Sequence, residues 1–313
     1  MMMFLAKRLL QLIPTLFFVS LIIFGLQQLL PGDPALAMAG EERDPAVLEQ
    51  IRQQYRLDRP LYEQYLYWIG GLFQGNLGES MRLKEPVLRL IQQKFPVTLQ
   101  LALMAIVISL VVGVSAGIVS AVRRNTRLDY FVNVLALTGI STPNFWLGIM
   151  LIFFFSVYLG WLPASGYVSP FEDFWQSMKT TILPAFVLGN SFAAVLMRHT
   201  RSAMLQAMTS DYVRTARAKG LSERVVVLKH AMRNALTPVI TLGALELGTL
   251  LSGAVLTEQV FSIPGFGKLI VDSVFNRDYA VVQGVTLVTA TTYILLNLLA
   301  DIAYILVNPR LRE

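Results

Sequence analysis

Residues 211–238 read DYVRTARAKGLSERVVVLKHAMRNALTP. Counting Arg198 and Arg201 just ahead of it, the stretch gathers eight basic side chains against only Asp211 and Glu223, and apolar runs flank it on both sides. A cationic loop is held between two hydrophobic segments. Its local pattern predicts two helices and a break. Asp211 is placed to cap the first helix, Arg214 and Arg217 share a face, and Gly220 supplies the left-handed residue that ends it. Ser222 is placed to cap the second helix. There Leu228, Met232 and Leu236 fall four apart in an apolar stripe, while Arg224, Lys229 and Arg233 point elsewhere. Pro238 stands at the entrance of the next apolar run, where a missing amide proton costs little.

Working outward, composition sets the class. Of the 313 residues 55% are hydrophobic and only 15% charged, with net charge +6 and mean hydropathy +0.57. A soluble domain of this length carries about 25% charged residues. Apolar runs long enough to cross about 30 Å of hydrocarbon recur along the chain, and only helices span a bilayer within one segment. The expected fold is an all-α integral membrane protein. With no cysteine, disulfides, thiolate nucleophiles and cysteine metal sites are excluded, and two histidines make a transition-metal site improbable.

In chain order, residues 1–30 hold a short basic start, Lys7 and Arg8, and a first span over 9–30. Ala35, Leu36 and Ala37 mimic a signal-peptide cleavage site, but the run is longer than the usual ~7 to 15 residues and further spans follow, so a span is expected. Residues 31–97 turn polar and form an outer helical insert. Asp44-Pro45 reads as cap plus first helical residue. Asp58-Arg59-Pro60 breaks that helix. A second, carrying Tyr62, Tyr65, Tyr67 and Trp68, is expected to end near Gly70-Gly71, and a third, short one over 86–94 leads into Pro96. Aromatics at this density suit a membrane interface.

Residues 98–313 form the transmembrane core. Span two covers about 98–122. The third apolar region, 130–161, is too long for one straight span, and Pro143 should kink or break it. Span four covers about 180–197, the basic loop 198–237 follows, span five rises from Pro238 to about Gln259, 261–279 leaves the membrane, and span six covers about 280–307. Six spans put both termini and the basic loop on one side, where Lys and Arg far outnumber Asp129, Asp211, Glu223 and Glu313. The positive-inside rule makes that side cytoplasmic.

No HExxH, GxSxG or paired-carboxylate pattern is present. Gly267-Lys268 imitates the end of a phosphate-binding loop, but Ser262 stands where its first glycine is required and Leu269 where Ser or Thr should ligate magnesium. The chain is expected not to hydrolyse ATP. Polar groups inside spans are the remaining signal, because each is costly in hydrocarbon. Ser141 and Asn144 flank the Pro143 break; Asn190, Ser191, Glu246, Thr249, Gly253 and Asn297 lie within later spans, with Glu246, Thr249 and Gly253 on one helical face. They are read as lining a translocation path, or for Glu246 as a polar contact to a partner subunit. Asp301 reads as pairing with a basic group at the membrane edge. His199 and His230 read as interfacial contacts.

The run YVRTARAKGLSE followed by LKHAMRNALTPVIT resembles the cytoplasmic coupling loop of permease subunits of ATP-binding-cassette importers, in the dipeptide, oligopeptide, glutathione and nickel branch. Further matches are LPGDPA at 30–35, FWLG at 145–148, GWLPASGY at 160–167, EQVFSIPGFG at 258–267, NRDYAVVQG at 276–284 and NPRLR at 308–312. The likeness runs nearly end to end. The generic loop carries Glu-Ala-Ala before its glycine where this chain has Arg214, Thr215 and Ala216, so the salt bridges at the contact must differ.

The resemblance implies an importer permease in a bacterial inner membrane, one half of a heterodimer with a second permease. Two ATPase subunits, which hold ATP and Mg, and a periplasmic or lipid-anchored binding protein complete the complex. No cofactor is implied on this chain. It further implies that Asp211, Tyr212, Arg214, Thr215, Ala216, Arg217, Ala218, Lys219, Gly220, Leu221 and Ser222 meet an ATPase. Glu258, Phe261, Pro264, Gly265, Phe266 and Gly267 would form a scoop-like outer gate. Peptides lead as substrate; nickel or a metal chelate is the alternative within the class. An ion-gradient-driven secondary transporter would need inverted repeats, of which none is visible, and a membrane receptor or scaffold would leave the buried polar groups unexplained.

Overall fold

The computed structural model describes residues 2–28, 34–39 and 44–307, and among these the chain is helical, with no strand beyond one bridge between Glu79 and Pro86. The motifs LPGDPA, in large part, and NPRLR lie outside the described residues, as do the side chains of Lys7, Arg8 and Asp301 and the surroundings of Gly253.

Helix α1, Met2–Gln28, carries the first apolar run. Short α2, Pro34–Ala39, precedes α3, Pro45–Gln54, which the Asp44 carboxylate caps by accepting from the Ala46 amide at 2.9 Å, as its sequence predicts. Helix α4, Leu61–Phe73, runs through Gly70-Gly71 instead of ending there. Helix α5, Val87–Ser109, absorbs the short helix expected over 86–94 and does not stop at Pro96. Proline removes one backbone bond, and a long apolar helix tolerates that loss when its neighbours compensate. A π-helical turn, Leu110–Val114, joins α5 to α6, Ser115–Val122.

Helices α7, Arg127–Ser141, and α8, Asn144–Leu151, meet at a 107° bend. Thr142 is extended there (φ −81°, ψ 123°), the conformation a following proline imposes, so the expected break at Pro143 is a sharp turn. A π-helical segment, Ile152–Tyr158, extends α8. Helix α9, Phe174–Met208, is longer at both ends than the span expected over 180–197. After it come α10, Asp211–Ala218, α11, Glu223–Val225, a π-helical segment, Val226–Ala231, and α12, Met232–Val260. Helix α13, Phe266–Phe275, and α14, Tyr279–Val307, complete the chain.

Among the described residues four helices are long and apolar enough to cross a membrane, Leu10–Gln28, Val87–Val122, Phe174–Met208 and Tyr279–Leu299, and the bent pair α7–α8 adds a fifth if it is one span.

The chain divides into two compact units, residues 1–97 with 264–292, and residues 98–263 with 293–313. In the second, α9 is the central helix, 72% of its apolar window buried. Glycine lets α6 and α9 touch: a Cβ on Gly117 would sit 2.6 Å from the Thr200 side chain and 2.7 Å from the Met197 carbonyl. With Gly113 four residues earlier, this is the small-xxx-small spacing that brings membrane helices together. In the first unit Val87, Leu90 and Ile91 of α5 pack with Phe266 and Leu269 of α13 and Val281 and Val285 of α14. The Asp278 carboxylate, 4% exposed, accepts from the Ser80 hydroxyl at 2.5 Å and the Met81 amide at 3.2 Å, tying the start of α14 to the loop before α5.

Candidate functional site

Helix α10 is amphipathic over barely two turns. Val213 and Ala216 are buried against Met204 and Ala207 of α9, Ala121 of α6, Val226, Val227 and Ala231 of the π-helical segment, and Ala235 of α12. Asp211, Tyr212, Arg214, Thr215, Arg217 and Ala218 face outward, as do Lys219, Gly220, Leu221 and Ser222 after the helix. The short helix is thus a basic knuckle whose apolar face is packed against α6, α9 and α12.

Gly220 has φ +75°, the left-handed value expected of it. Its amide donates to the Arg217 carbonyl at 2.9 Å and that of Leu221 to the Ala216 carbonyl at 3.4 Å, the paired bonds of a Schellman terminus. Across this turn the Arg217 guanidinium grips Glu223 with both carboxylate oxygens engaged, Nε to Oε2 at 3.1 Å and Nη2 to Oε1 at 2.6 Å. That contact holds the Glu223 carboxyl below its ordinary range and pushes the Arg217 guanidinium up.

Three local readings are corrected. Ser210, not Asp211, occupies the N-cap of α10, and Asp211 sits in the first turn, where its charge complements the helix dipole. Ser222 holds the N-cap position of α11 but makes no capping bond through its side chain. Arg224, Lys229 and Arg233 do not point away from the stripe of Leu228, Met232 and Leu236: all six line one hollow. Arg224 stands four residues before Leu228, and Lys229 and Arg233 stand three residues before Met232 and Leu236, spacings that make neighbours on a helix surface.

The polar groups expected on a path are distributed differently from one another. Asn190 donates to the Gly139 carbonyl at 2.9 Å and Ser191 to Asn144 Oδ1 at 3.2 Å, so these tie α9 to α7 and α8. Ser141 is exposed and lines a hollow of about 590 Å³ inside the bend with Thr138, Pro143 and Trp146. Glu246 and Asn297 are half-buried and Thr249 is exposed.

The residues expected at an outer gate fall in both units. Glu258 is fully buried, accepting from the Thr98 hydroxyl at 2.5 Å. Phe261, 2% exposed, packs where a Cβ on Gly148 would come within 3.2 Å of its ring, and its carbonyl accepts from the Gly166 amide at 3.1 Å. In the other unit Pro264 is half-buried, Gly265, Phe266 and Gly267 are buried, and the Phe266 ring meets Phe95 edge to face at 5.7 Å.

One cluster escaped sequence reading. Asp129, 2% exposed, is bound by Arg201 through two contacts of 2.9 Å, by the Ser120 hydroxyl at 2.5 Å, by the Asn125 amide at 2.9 Å and by Asn133 Nδ2 at 2.8 Å. Arg201 counts among the loop cations in sequence, and Asp129 reads as a minor surface acid. The available signal was an isolated carboxylate among Arg123, Arg124 and Arg127.

Helices that bend, interrupt themselves with π turns and pack through glycines around one central helix define a helical membrane fold. A chain of the MetNI methionine ABC transporter, solved in inward-facing conformations, superimposes with a TM-score of 0.56 at 19% identity, covering 71% of this chain and 97% of that one. The chain belongs to the family of binding-protein-dependent transport system inner membrane components, whose family model matches residues 113–313, while the N-terminal companion model matches 1–102. The di/tripeptide transport system permease DppB of Pseudomonas aeruginosa is 46% identical over 100% of this chain and 99% of its own length. The glutathione transport system permease GsiC of Escherichia coli K12 is also 46% identical, with the same coverage. The chain is therefore a transport permease of the inner membrane, and no enzymatic activity is indicated for it.

Proposed function

We propose that this chain is one half of the translocation path of an ATP-driven importer for short peptides or glutathione-like solutes. A second, homologous permease forms the other half, two ATPase subunits bind ATP and Mg, and a periplasmic or lipid-anchored binding protein delivers the substrate. The observation that carries the substrate class is full-length similarity to both DppB and GsiC. In this reading α12 is a sixth span, both termini and the loop 198–237 are cytoplasmic, and residues 31–97 lie outside. The basic knuckle of α10 and Gly220 sits on an ATPase. Because Val213 and Ala216 are packed into the ends of α6, α9 and α12, a push on the knuckle reaches the spans without slack. Closure of the ATPases would rock them from inward-facing to outward-facing. Glu246, Thr249, Asn297 and Ser141 are the proposed lining groups.

The test is a mild-detergent pull-down of the tagged chain with mass spectrometry of its partners and an ATPase assay on the eluate. A second permease, ATPases and hydrolysis are expected. A lone chain that moves solute on reconstitution would replace this reading with ion-driven transport.

A further inference from the structure

The helical stretch that leads from the Gly220 turn into α12 has two unlike sides. One buries Val226, Val227, Ala231 and Ala235 in the cluster that also holds Val213 and Ala216 of α10. The other is left uncovered, and there a hollow of about 580 Å³ opens. Leu228, Met232 and Leu236 give it an apolar lining, Leu228 being 54% exposed. Arg224, Lys229 and Arg233 line the same hollow and are exposed.

The charge of the occupant follows from these three cations. Among the described residues none of them makes an ion pair or a hydrogen bond, and no carboxylate lines the hollow. Glu223, the nearest carboxylate in sequence, has both oxygens on Arg217. Like charges gathered without a counter-ion favour an anion, and guanidinium groups suit the paired oxygens of a phosphate.

The occupant must also be apolar. An inorganic anion or a nucleotide would leave Leu228, Met232 and Leu236 against water, whereas an amphiphile covers them. Its depth follows from the chain, because Leu236 stands two residues before Pro238, where the run proposed as a membrane span begins. Headgroups lie at that level, and basic side chains on the cytoplasmic surface attract the anionic ones. An acidic stretch of protein would match the charge but not that depth.

We infer that this hollow holds an anionic phospholipid, its phosphate among Arg224, Lys229 and Arg233 and its acyl chains along Leu228, Met232 and Leu236. The lipid pins to the membrane surface the segment that joins α10 to α12. The inference rests on the proposed function only for α12 as a span entered from the cytoplasm.

The chain lacks cysteine, so a single probe can be placed. The full chain with Leu228→Cys carrying bimane is reconstituted in nanodiscs of phosphatidylcholine with a minor fraction of phosphatidylglycerol. Bromine is put on the acyl chains of one lipid or the other at equal mole fraction. Brominated phosphatidylglycerol is expected to quench about threefold more than brominated phosphatidylcholine. Arg224→Gln, Lys229→Gln and Arg233→Gln should each lower that preference and together abolish it, so the single variants decide if the triple one does not fold. Equal quenching by the two lipids, or a preference indifferent to the substitutions, overturns the inference. Millimolar inorganic phosphate should leave the preference intact; its loss would assign the hollow to a soluble anion and overturn the lipid. Bimane that neither lipid quenches, and that added ATPases shield instead, makes the hollow a protein contact and overturns it equally. ATP-driven uptake without lipid preference removes this site alone. Lipid preference in a chain that recruits no ATPase removes the importer reading alone.

Discussion

Arg201, on the central helix α9, holds Asp129, on α7, through two parallel hydrogen bonds of 2.9 Å, and the carboxylate is 2% exposed. Ser120 of α6 donates to the same oxygen as Arg201 Nε, so three helices converge on one charge. Two of these helices, α6 and α9, also pack against α10. We expect Asp129→Ala to destabilise the chain by about 3 kcal/mol, because a largely buried guanidinium is left without its anion. Arg201→Lys should recover little, since a point charge cannot satisfy the fork. Thermal melting in detergent measures both, and an Asp129→Ala variant as stable as the parent would show that the pair is dispensable.

Gly220 gives a separate prediction, because a Cβ there meets nothing within 4 Å and any effect must come from its φ of +75°. Gly220→Val should cost about 1–2 kcal/mol locally and uncouple ATP hydrolysis from uptake with the protein still in the membrane. Gly220→Asn, which tolerates left-handed backbone, should behave nearly as the parent. Vesicle uptake and ATPase rates on the same preparation test this, and unchanged uptake in the valine variant counts against the coupling role.

Gly189 faces the opposite constraint. A Cβ would meet the Ala105 carbonyl at 2.6 Å and Ser109 Oγ at 2.7 Å, so α5 and α9 approach there only without a side chain. Gly189→Val should lower stability by about 1–3 kcal/mol through overpacking. A melting temperature within error of the parent would mean that the two helices separate freely.

The Arg217–Glu223 contact sets a pH dependence. Glu223 titrates below the ordinary carboxylate value in the folded chain, so its contribution to the turn is present above that ordinary value. The contribution is lost as pH falls through the depressed folded value. Carboxyl NMR of selectively labelled Glu223 should show the low titration, and Arg217→Gln should raise it back toward the ordinary carboxylate range. Identical titration in the two proteins would remove the pair as its cause.

Sequence by itself determined what depends on near neighbours. Hydrophobic runs dictated helices because a backbone in hydrocarbon has no other way to satisfy its polar groups. Asp44-Pro45 dictated a cap, Thr142-Pro143 a break, and Gly220 a left-handed terminus, each through sterics or bonding within a few residues. Near end-to-end motif likeness named the family before any contact was known.

Tertiary structure decided everything that required distant residues to meet. Pro96 was carried through because packing outweighs one lost backbone bond, and Arg224, Lys229 and Arg233 share one hollow with the stripe they should have avoided. Arg201 left the pool of loop cations because Asp129, 72 residues away in sequence, was folded against it. Asn190 and Ser191 became ties between helices. Partner choice among polar groups is a three-dimensional matter: the cost of burial is local, and the atom that relieves it is not.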